Sequence, residues 1–465
     1  MATNIFKKSF GDKRLDLRGN KLLTDLFKKN IHSIRQLADD SSGAKGWYRF
    51  LQNEKTDESI IKRDMIGLCD QIVKGKTVLA IQDSSEINLY NHKNRIQNDS
   101  SIGATNASEG GLGFLIHPSL VIDAYSCIPY GFSDVRIWNR PKESKTKHER
   151  KINTLPIEEK ESFKWIESSE NSKKTLAQAE RVIIIQDREG DIYTQFATVP
   201  TSKVELLVRS STDRTLVDGV KLSKKLAACD VAGTYSINIE GDKRKKQEKR
   251  TATLEVRFTS VNLKRPSNIN KNIPESISLY AIEAKEINTK SNKPTYWRIL
   301  TTIPVTNLPE ALTVIEWYSW RWIIEEVFRI LKKEGFNIEA SELGSGKAIR
   351  KLCLLMLNTI IRIFQMRICF ALPEEEGLPS DFCFKKEELE CLSVQKNVLE
   401  GKTQKLKNPY GQNSLKWATW IIARLGGWKG YTTERSPGIT TLWIGLKRFY
   451  DIQEGWRLAK DVSTR

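Results

Sequence analysis

With 465 residues, 39% of them hydrophobic, the chain is long enough for two or three domains with real cores. Its 75 Lys and Arg outnumber 57 Asp and Glu, and the formal net charge of +18 favours a polyanionic partner such as nucleic acid. No apolar run approaches the ~20 residues that a membrane helix needs, and no apolar segment follows the basic start as in a secretory signal. We therefore expect no membrane partner.

Cysteine and histidine usage argues against a structural zinc site and against a disulfide framework. The seven cysteines form no CxxC pair, and the four histidines are scattered. A reducing cytoplasm is the expected compartment. The GSGK at Gly344 lacks the upstream glycine of a phosphate loop and has Ala348 where a Mg²⁺-binding hydroxyl should stand. We therefore expect no nucleotide cofactor.

Residues 1–72 are predicted to form a small helical domain. Helical periodicity covers RLDLRGNKLLTDLFKKN, a piece around Ile34 to Leu37, GAKGWYRFLQN and ESIIKRDMIGLCDQIV. Basic, aromatic-bearing helical modules commonly enter a DNA groove. The candidate contacts are Lys45, Trp47, Tyr48 and Arg49. In the alternative interpretation, Trp47 and Phe50 belong to the core and Arg49 is merely exposed, and the residues alone do not decide.

Two aspartates follow short apolar runs that are typical of buried strands. Asp83 follows Val78 to Ile81 in TVLAIQDSS, and Asp187 follows Val182 to Ile185 in RVIIIQDREGD. Each Asp is therefore expected at or near a strand end. The alternative for either residue is an Asp that only caps the following turn.

The segments around these strands are also predicted. A β-meander is expected over 111–132, a charged helical segment over about 142–177 and a third strand in VELLVRSS at 204–211. A β-rich insertion is expected at about 213–300, with a long basic hairpin at GDKRKKQEKR. Such a charge run is usually a solvated turn, although it could also neutralise DNA phosphates.

The stretch Val314 to Lys333 has no Pro or Gly and is predicted to be one helix. Its apolar residues, with Trp320, fall on one side. Tyr318, Arg321, Glu325 and Lys332 fall on the other side, within roughly 60°. The alternative is a solvated face with i,i+4 ion pairs. If the fold brings Glu325 to Asp83 and Asp187, three ionised carboxylates need cations between them, and hard oxygen ligands suit Mg²⁺ or Mn²⁺.

Helices are predicted again from Ala348 onward. The run KLCLLMLNTIIRIFQMRICF is apolar nearly all round and should be buried, LPEEEGLPSD should be a linker, and Trp417 to Lys460 a Trp-rich helical tail. Exposed aromatic helices at a chain end often serve association. The predicted domains are therefore 1–72, 73–370 with the β-rich insertion, and 371–465 as a helical dimerisation domain.

These motifs resemble those of a known enzyme family. Tyr318-x-x-Arg321-x-x-x-Glu325-x6-Lys332, together with IQDSS at Asp83 and QDREGD at Asp187, resembles the DDE transposases of the insertion-sequence-four family, in the transposon-five transposase subgroup. The resemblance extends from GDKRLDLR at Gly11 through GWYRFLQN at Gly46 to ARLGGWKG at Ala423. It implies an α/β fold with a ribonuclease H-like catalytic core, a β-rich insertion, and helical segments at both ends.

The resemblance also implies site residues and partners. Asp83, Asp187 and Glu325 would be catalytic and hold Mg²⁺, with Mn²⁺ as a substitute. Arg209 matches a phosphate-contacting arginine and Trp297 a tryptophan inserted at a displaced base during hairpin formation, although Trp297 could also be sheet core. Tyr318, Arg321 and Lys332 would contact DNA. The implied partners are double-stranded DNA, as element ends and target, and a second copy in a homodimer that holds two ends.

Two other functions are considered. A non-transposing DNA-binding relative could inhibit an active transposase, although intact Asp83, Asp187 and Glu325 argue against a dead site. A carboxylate-pair hydrolase acting on sugars would also use Asp and Glu, but it does not explain the basic excess or the Arg and Lys around Glu325.

Overall fold

The computed structural model of the chain describes residues 5–29, 31, 33–96, 98–105, 111–142, 155–239, 249–289, 294–431 and 435–463. The fold is mixed α/β, with one large sheet and helices on it. The helices are α1 Lys13–Lys29, α2 Ile34–Leu37, α3 Ser41–Gln52, α4 Glu58–Ile72, α5 Lys93–Ile96, α6 Phe163–Thr175, α7 Tyr193–Thr198, α8 Leu222–Ala227, α9 Leu308–Ser319, α10 Trp322–Arg329, α11 Gly346–Ala371, α12 Lys386–Leu399, α13 Leu415–Leu425 and α14 Ile439–Ser463. The strands are β1 Thr77–Gln82, β2 Ser85–Asn88, β3 Gly103–Ala104, β4 Leu112–Asp123, β5 Pro129–Trp138, β6 Arg181–Gln186, β7 Val204–Arg209, β8 Gly233–Ile239, β9 Arg250–Lys264, β10 Ser276–Ile287 and β11 Tyr296–Thr301.

Five strands at the centre of the sheet position the candidate site. Their order is β5-β4-β1-β6-β7, in which β4 is antiparallel to β1 and β5, and β1, β6 and β7 run parallel. The apolar runs of β1 and β6 are buried along nearly their whole length, as expected for strands covered on both faces. This order fits the ribonuclease H-like core that the sequence predicts.

The segment predicted as a β-rich insertion continues the same sheet. Strand β11 pairs antiparallel with β7, and β10, β9 and β8 follow outward in that order. Residues 241–248 of the predicted basic hairpin lie outside the described residues, whereas the flanking strands β8 and β9 do pair antiparallel. The insertion is therefore an extension of the sheet edge rather than a second layer.

The first four helices lie where the sequence predicts them, but they share the core of the rest of the chain. Helices α1 and α3 pack against α11, and α4 packs against β5 and α11. Arg350 of α11 also forms an ion pair with Glu58 of α4, with Nε 2.8 Å from Oε2. The domain boundaries at 72 and 370 stay predictions.

Helix α11 is buried almost all round, as its apolar sequence predicts. By length and hydropathy this helix could cross a membrane. This differs from our expectation that no apolar run approaches the length of a membrane helix. However, 83% of its most apolar window is buried inside the protein. The GSGK turn begins this helix, and the Gly346 N–H donates to Asp99 Oδ2 at 2.6 Å.

The C-terminal tail differs from its predicted role as an exposed aromatic surface. Trp417, Trp420 and Trp443 are only 2%, 1% and 5% exposed, because α13 packs on α11, α12 and α14. A helix as apolar as α11 must be covered on all sides, and the tail supplies part of that cover. The exposed apolar side chains of α14 are instead Ile444, Leu458 and Val462.

Candidate active site

The two aspartates lie side by side because β1 and β6 are parallel neighbours. Ile81 is opposite Ile185 in the register, so the next residues but one, Asp83 and Asp187, leave the same edge of the sheet together. Parallel strands deliver their C-terminal residues to one edge, and ligands of open α/β sheets bind there. The repeated IQD tripeptide thus becomes a pair of adjacent carboxylates.

Each aspartate also accepts a hydrogen bond from the backbone that follows it. The Ser84 N–H donates to Asp83 Oδ1 at 2.8 Å, and the Glu189 N–H donates to Asp187 Oδ1 at 2.9 Å. Asp187 is the N-cap of the 3₁₀ turn Arg188–Gly190. The turn-capping interpretation is therefore correct for Asp187 and does not compete with a site role, since each carboxylate keeps a second oxygen.

The prediction of one helix from Val314 to Lys333 is wrong in its continuity. Helix α9 ends at Ser319, α10 begins at Trp322, and a π turn covers Ile330–Glu334. The break at 320–321 is tight, because the Arg321 N–H bonds to the Tyr318 carbonyl and not one full turn back. Residues on both sides of the break bond to residues that follow strands of the sheet. Trp317 Nε1 donates to the Ala124 carbonyl after β4 at 2.9 Å, and Arg321 Nη1 donates to Asp83 Oδ2 after β1.

Arg321 connects the helix to the sheet. Its Nη1 lies 2.8 Å from Asp83 Oδ2, and its Nη2 bonds to Glu325 Oε1. Only 11% of the Arg321 side chain is exposed, against 33% for Glu325. The guanidinium therefore bridges two of the three predicted carboxylates, and the i,i+4 pair that the alternative interpretation predicts is part of this bridge.

Burial and like charges disfavour ionisation of Asp83. Burial raises the pKa of Asp83 to about 6; the charge of Arg321 opposes this rise, and Asp187 and Glu325 add to it. The effect of both carboxylates on the pKa of Asp83 indicates that all three occupy one neighbourhood. Perturbed carboxyl groups of this kind concentrate at functional sites.

A second group of predicted residues flanks the carboxylates. Burial raises the pKa of Tyr318, which interacts with Arg209 at the end of β7. Burial lowers the pKa of Arg209, whose Nη2 donates to Tyr296 O at 2.8 Å. Trp297, partly buried on β11, meets the Tyr318 ring edge-on with centroids 5.9 Å apart. The structure thus brings Arg209, Trp297 and Tyr318 together.

Lys332 lies at the other end of the site. Its Nζ is 3.5 Å from Ser85 Oγ and 3.5 Å from Glu339 Oε1. Ser85 follows Asp83 by two residues, so Lys332 borders the same edge of β1. The four residues of the Tyr-Arg-Glu-Lys motif therefore do not form one row on a straight helix; they surround the strand ends from a broken one.

The carboxylates fit a divalent cation by their chemistry. Asp83, Asp187 and Glu325 supply hard oxygen donors of one charge sign, and the neighbouring cation in the structure is Arg321. Among the described residues, no three acidic, His or Cys side chains are already gathered as a metal site. The guanidinium compensates the charge of the carboxylates in this arrangement.

Two features of the site escape sequence reasoning. A cavity of about 200 Å³ lies beside Arg209 and is lined by Arg188, Arg298, Tyr296 and residues 210–213. On the opposite side, the buried His117 has Nδ1 2.9 Å from Ser84 Oγ, and burial lowers its pKa well below the usual range. In the sequence, Arg188 follows Asp187, residues 210–213 follow Arg209 and Ser84 follows Asp83. No sequence signal shows that His117, Tyr296 and Arg298 reach the site from other strands.

The predicted N-terminal contacts divide into two classes. Lys45 and Arg49 of α3 are exposed and Tyr48 is partly exposed, whereas Trp47 is 3% exposed and lies in the core with Phe50. The Lys21 ammonium stands 5.2 Å from the centre of the Trp47 ring. Trp47 is therefore a core residue, and its prediction as a DNA contact is wrong.

Two family models of transposases match parts of this chain. Residues 2–56 match a transposase DNA-binding family and residues 144–361 match the transposase DDE domain family. The second match includes Asp187 and Glu325 but begins after Asp83, and the first includes Lys45, Tyr48 and Arg49. Among solved structures, the chain is similar to a piggyBac transposase synaptic complex with hairpin DNA, at 9% identity and a TM-score of 0.34, covering 88% of this chain and 86% of the other.

Because the identity and the TM-score of that comparison are low, the function is inferred from the two family matches alone. Transposases with a DDE domain generally use divalent metal ions, in agreement with the acidic donors found here. The chain therefore matches both a transposase DNA-binding family and a transposase DDE domain family, and these two matches support a DDE transposase.

Proposed function

We propose that the protein is a cut-and-paste transposase of the insertion-sequence-four family, close to the transposon-five subgroup. The observation that carries this proposal is the set of adjacent strand-end carboxylates, Asp83 and Asp187, joined to Glu325 through Arg321. The spacing of Tyr318, Arg321, Glu325 and Lys332 supports the subgroup in this proposal. A net charge of +18 suits the DNA substrate.

The proposed reaction cuts and rejoins phosphodiesters. Water attacks the phosphorus at the element end and the P–O3′ bond breaks, which leaves a 3′-hydroxyl and a 5′-phosphate. That 3′-hydroxyl then attacks a phosphodiester of the opposite strand, where the P–O3′ bond breaks, so that a hairpin closes and the flanking DNA leaves with a 3′-hydroxyl. Water reopens the hairpin and restores the 3′-hydroxyl, which attacks a phosphodiester of target DNA and again displaces its 3′-oxygen as a hydroxyl. When bound, two Mg²⁺ ions, or Mn²⁺ in their place, stabilise the attacking and leaving oxygens. Asp83, Asp187 and Glu325 would hold them.

The residues around the carboxylates would hold the DNA strand. Tyr318 would donate a hydrogen bond to a phosphate, Arg209 and Arg321 would bind phosphates with their planar guanidinium groups, and Lys332 would act as a point charge. Arg209 is partly buried, and the charges of Arg188 and Arg321 each repel it. This supports the role, because a bound anion would relieve that repulsion. Trp297, on the far side of Tyr318, would stack on the base displaced at a hairpin.

The helices at the start of the chain would recognise the element's own ends. Lys45, Tyr48 and Arg49 present charge and an aromatic ring on one helix, α3, inside the matched DNA-binding region. Two copies of the chain would hold two ends in a homodimer, since movement of an element requires both ends to be cut. We place the protein in the bacterial cytoplasm at the nucleoid.

The test is a cleavage assay on a duplex that carries the element's terminal repeat. Wild-type protein with Mg²⁺ should release a 3′-hydroxyl end and then a hairpin, and EDTA should leave only binding. A protein that binds the repeat with high specificity but cuts nothing in Mg²⁺ or Mn²⁺ would instead be a DNA-binding inhibitor.

A further inference from the structure

A cluster of buried side-chain amides lies directly beneath the candidate site. Gln82 is the last residue of β1 and Gln186 the last residue of β6, and both are fully buried. The Gln186 Nε2 donates to Gln82 Oε1 at 2.8 Å, across the parallel pair. Because Asp83 and Asp187 are the next residues, this bond joins the two strands one residue before the carboxylates.

Two helices complete the cluster from the same side. Gln82 Nε2 donates to Ser169 Oγ of α6 at 3.3 Å, and Gln186 Nε2 donates to Gln195 Oε1 of α7 at 3.1 Å. Ser169 Oγ in turn donates to the Trp165 carbonyl at 2.7 Å. No polar atom of the four side chains is left without a partner. A fully satisfied buried network of this kind is rigid, since loss of one member strands the others.

The cluster also holds the turn that carries Asp187. Gln195 Nε2 donates to the Gly190 carbonyl at 2.9 Å. A Cβ atom built on Gly190 would lie 2.3 Å from Gln186 Oε1, so only glycine lets the turn approach the amide this closely. Asp187 therefore lies between two anchored points, Gln186 before it and Gly190 after it.

The cluster is unusual because its amides are buried next to apolar residues of the two strands. Residues 78–81 of β1 and 182–185 of β6, which precede the glutamines, are all Val, Leu, Ala or Ile. Burying amides beside them costs free energy unless every hydrogen bond is made. The amides stand where two like-charged carboxylates leave adjacent strands and repel each other. A rigid cross-link there keeps the separation of the carboxylates fixed against that repulsion.

We propose that Gln82, Gln186, Gln195 and Ser169 are positioning residues that set the separation of Asp83 and Asp187 for a divalent cation. This inference rests on the proposed function in that it takes Asp83 and Asp187 as the cation ligands. The amides themselves do not touch cation or DNA. They act through the strand ends and through the turn at Gly190.

The test measures Mn²⁺ binding directly, by electron paramagnetic resonance of the free ion, on the full chain without DNA. Gln186→Met keeps the side-chain shape and removes the hydrogen bonds, and we expect the Mn²⁺ dissociation constant to rise about 10- to 100-fold. Gln82→Met/Gln186→Met removes both members of the central pair and should give at least the same rise. Affinity for the terminal-repeat duplex in EDTA should stay within about twofold, since phosphate contacts lie elsewhere.

Ser133→Ala is the matched control. Ser133 of β5 is 1% exposed, and its hydroxyl bonds to Ser119 of β4 and Ser172 of α6 at 2.9 Å, so it belongs to a second buried polar cluster. Its loss should lower the melting temperature without changing Mn²⁺ affinity. Gln186→Met alone leaves the buried Gln82 Oε1 without the Gln186 donor, whereas the double variant removes both amides of this hydrogen bond. The double variant is therefore the one to measure if Gln186→Met does not fold.

The outcomes separate this inference from the proposed function. If the folded Gln variants bind Mn²⁺ within twofold of wild type while Asp187→Asn loses it, the positioning role is overturned and the cation site stands. An equal loss of Mn²⁺ affinity in Ser133→Ala also overturns it, because any buried polar loss would then suffice. If Asp187→Asn binds Mn²⁺ as wild type does, the cation site and the positioning role both fail.

Discussion

Arg321 and Asp83 stand 238 positions apart in the chain and are joined by a hydrogen bond of 2.8 Å. The same guanidinium bonds to Glu325 one turn further along the helix. A positive group thus lies between two of the three carboxylates that the motif predicts. In the absence of a cation, the Arg321 guanidinium forms ion pairs with Asp83 and Glu325. These ion pairs reduce the repulsion between the two carboxylates.

The first prediction concerns the carboxylates themselves. Asp83→Ala, Asp187→Ala and Glu325→Ala should each abolish strand cleavage, by at least about 10³-fold, because the cation would lose a ligand. Binding of the terminal repeat should be unchanged, since these residues carry no phosphate contact. Denaturing gels of end-labelled duplex measure cleavage, and gel shifts measure binding.

Glu326→Ala is the control for that series. Glu326 is the next residue of α10 but pairs with Arg367 on another side, so it shares the helix and the charge without sharing the site. It should cut at nearly the wild-type rate. A Glu325→Ala protein that also cuts at that rate would show that the assignment of the helix to catalysis is wrong.

The second prediction is the pH dependence of stability. The pKa of Asp83 is raised from its ordinary value of 3.8 to about 6, first by burial, so the folded protein holds this proton more tightly than the unfolded chain does. Stability is therefore lost as pH rises from about 4 to about 6, by at most roughly 3 kcal/mol. Without metal, Asp83→Asn should be more stable than wild type at pH 7.5 and equal to it below pH 4.

Urea unfolding at pH 4, 6 and 7.5 in EDTA measures this difference. Glu286→Gln provides the opposite sign: Arg250 lowers the pKa of Glu286 to about 2, so its stabilisation is present above the ordinary value of 4.5 and is lost as pH falls towards 2. This variant should be less stable than wild type at pH 7.5, with the gap closing in acid. An Asp83→Asn variant that is less stable than wild type at pH 7.5 would contradict the burial argument.

Sequence reasoning locates the strands and the aspartates because each depends on local information. A short apolar run ending in Gln-Asp is enough to place Asp83 and Asp187 at strand ends, and parallel pairing then brings them together. The break between α9 and α10 could not be predicted, because 320–321 contain no Pro or Gly. It accompanies distant contacts, of Trp317 with Ala124 and of Arg321 with Asp83.

The tryptophan-rich tail is a second case in which distant contacts, which the local sequence does not reveal, determine the structure. Periodicity identifies α13 and α14 as helices with an apolar face, but it cannot say which surface covers that face. The covering surface includes α11, which ends at Ala371, and so Trp417 and Trp420 are core residues. The buried amide pair Gln82–Gln186 was equally hidden, since its meaning depends on the register of β1 and β6.

The third prediction concerns Trp297. If its indole stacks on a displaced base, Trp297→Ala should slow hairpin closure by about 5- to 150-fold, because base–aromatic stacking contributes about 1–3 kcal/mol. The first nick should be nearly unaffected, since it needs no displaced base. A 2-aminopurine placed at the terminal base reports the displacement by its fluorescence, and Trp297→Phe, which keeps a ring against Tyr318, should recover most of the rate. Loss of the first nick as well would mean that Trp297 only supports the sheet.

The fourth prediction concerns end recognition by α3. Lys45→Ala and Arg49→Ala should each weaken binding of the terminal repeat and lower the slope of log K against log salt by about 0.9, the value for one phosphate contact. Lys386→Ala on α12, also exposed, is the charge-matched control and should leave the slope unchanged. Trp47→Ala should instead lower the melting temperature, because Trp47 is buried. If the slope is unchanged in both Lys45→Ala and Arg49→Ala, these two residues of α3 do not contact DNA phosphates, and the element's ends are recognised by another part of the protein.

The fifth prediction is about assembly of two ends. Truncation near Lys416 would remove Trp417 and Trp420 from the core, so it would unfold the protein and test nothing about pairing. The exposed apolar residues of the final helix offer a sharper test: Leu458 is 57% and Val462 75% exposed, one turn apart on α14. If this face pairs two copies on DNA, Leu458→Glu/Val462→Glu should keep single-end binding and lose the paired-end complex and double-strand cleavage.

Val394→Glu/Val398→Glu is the matched control, because these residues are 45% and 73% exposed and one turn apart on α12. The control should assemble normally if pairing is specific to α14. We expect the free wild-type protein to be mostly monomeric and to pair only on DNA, since a net charge of +18 opposes association until phosphates neutralise it. Light scattering with and without the end duplex measures both states. Paired ends formed by the Leu458→Glu/Val462→Glu protein would remove α14 from the interface, and pairing lost in the α12 variant alone would place the interface there.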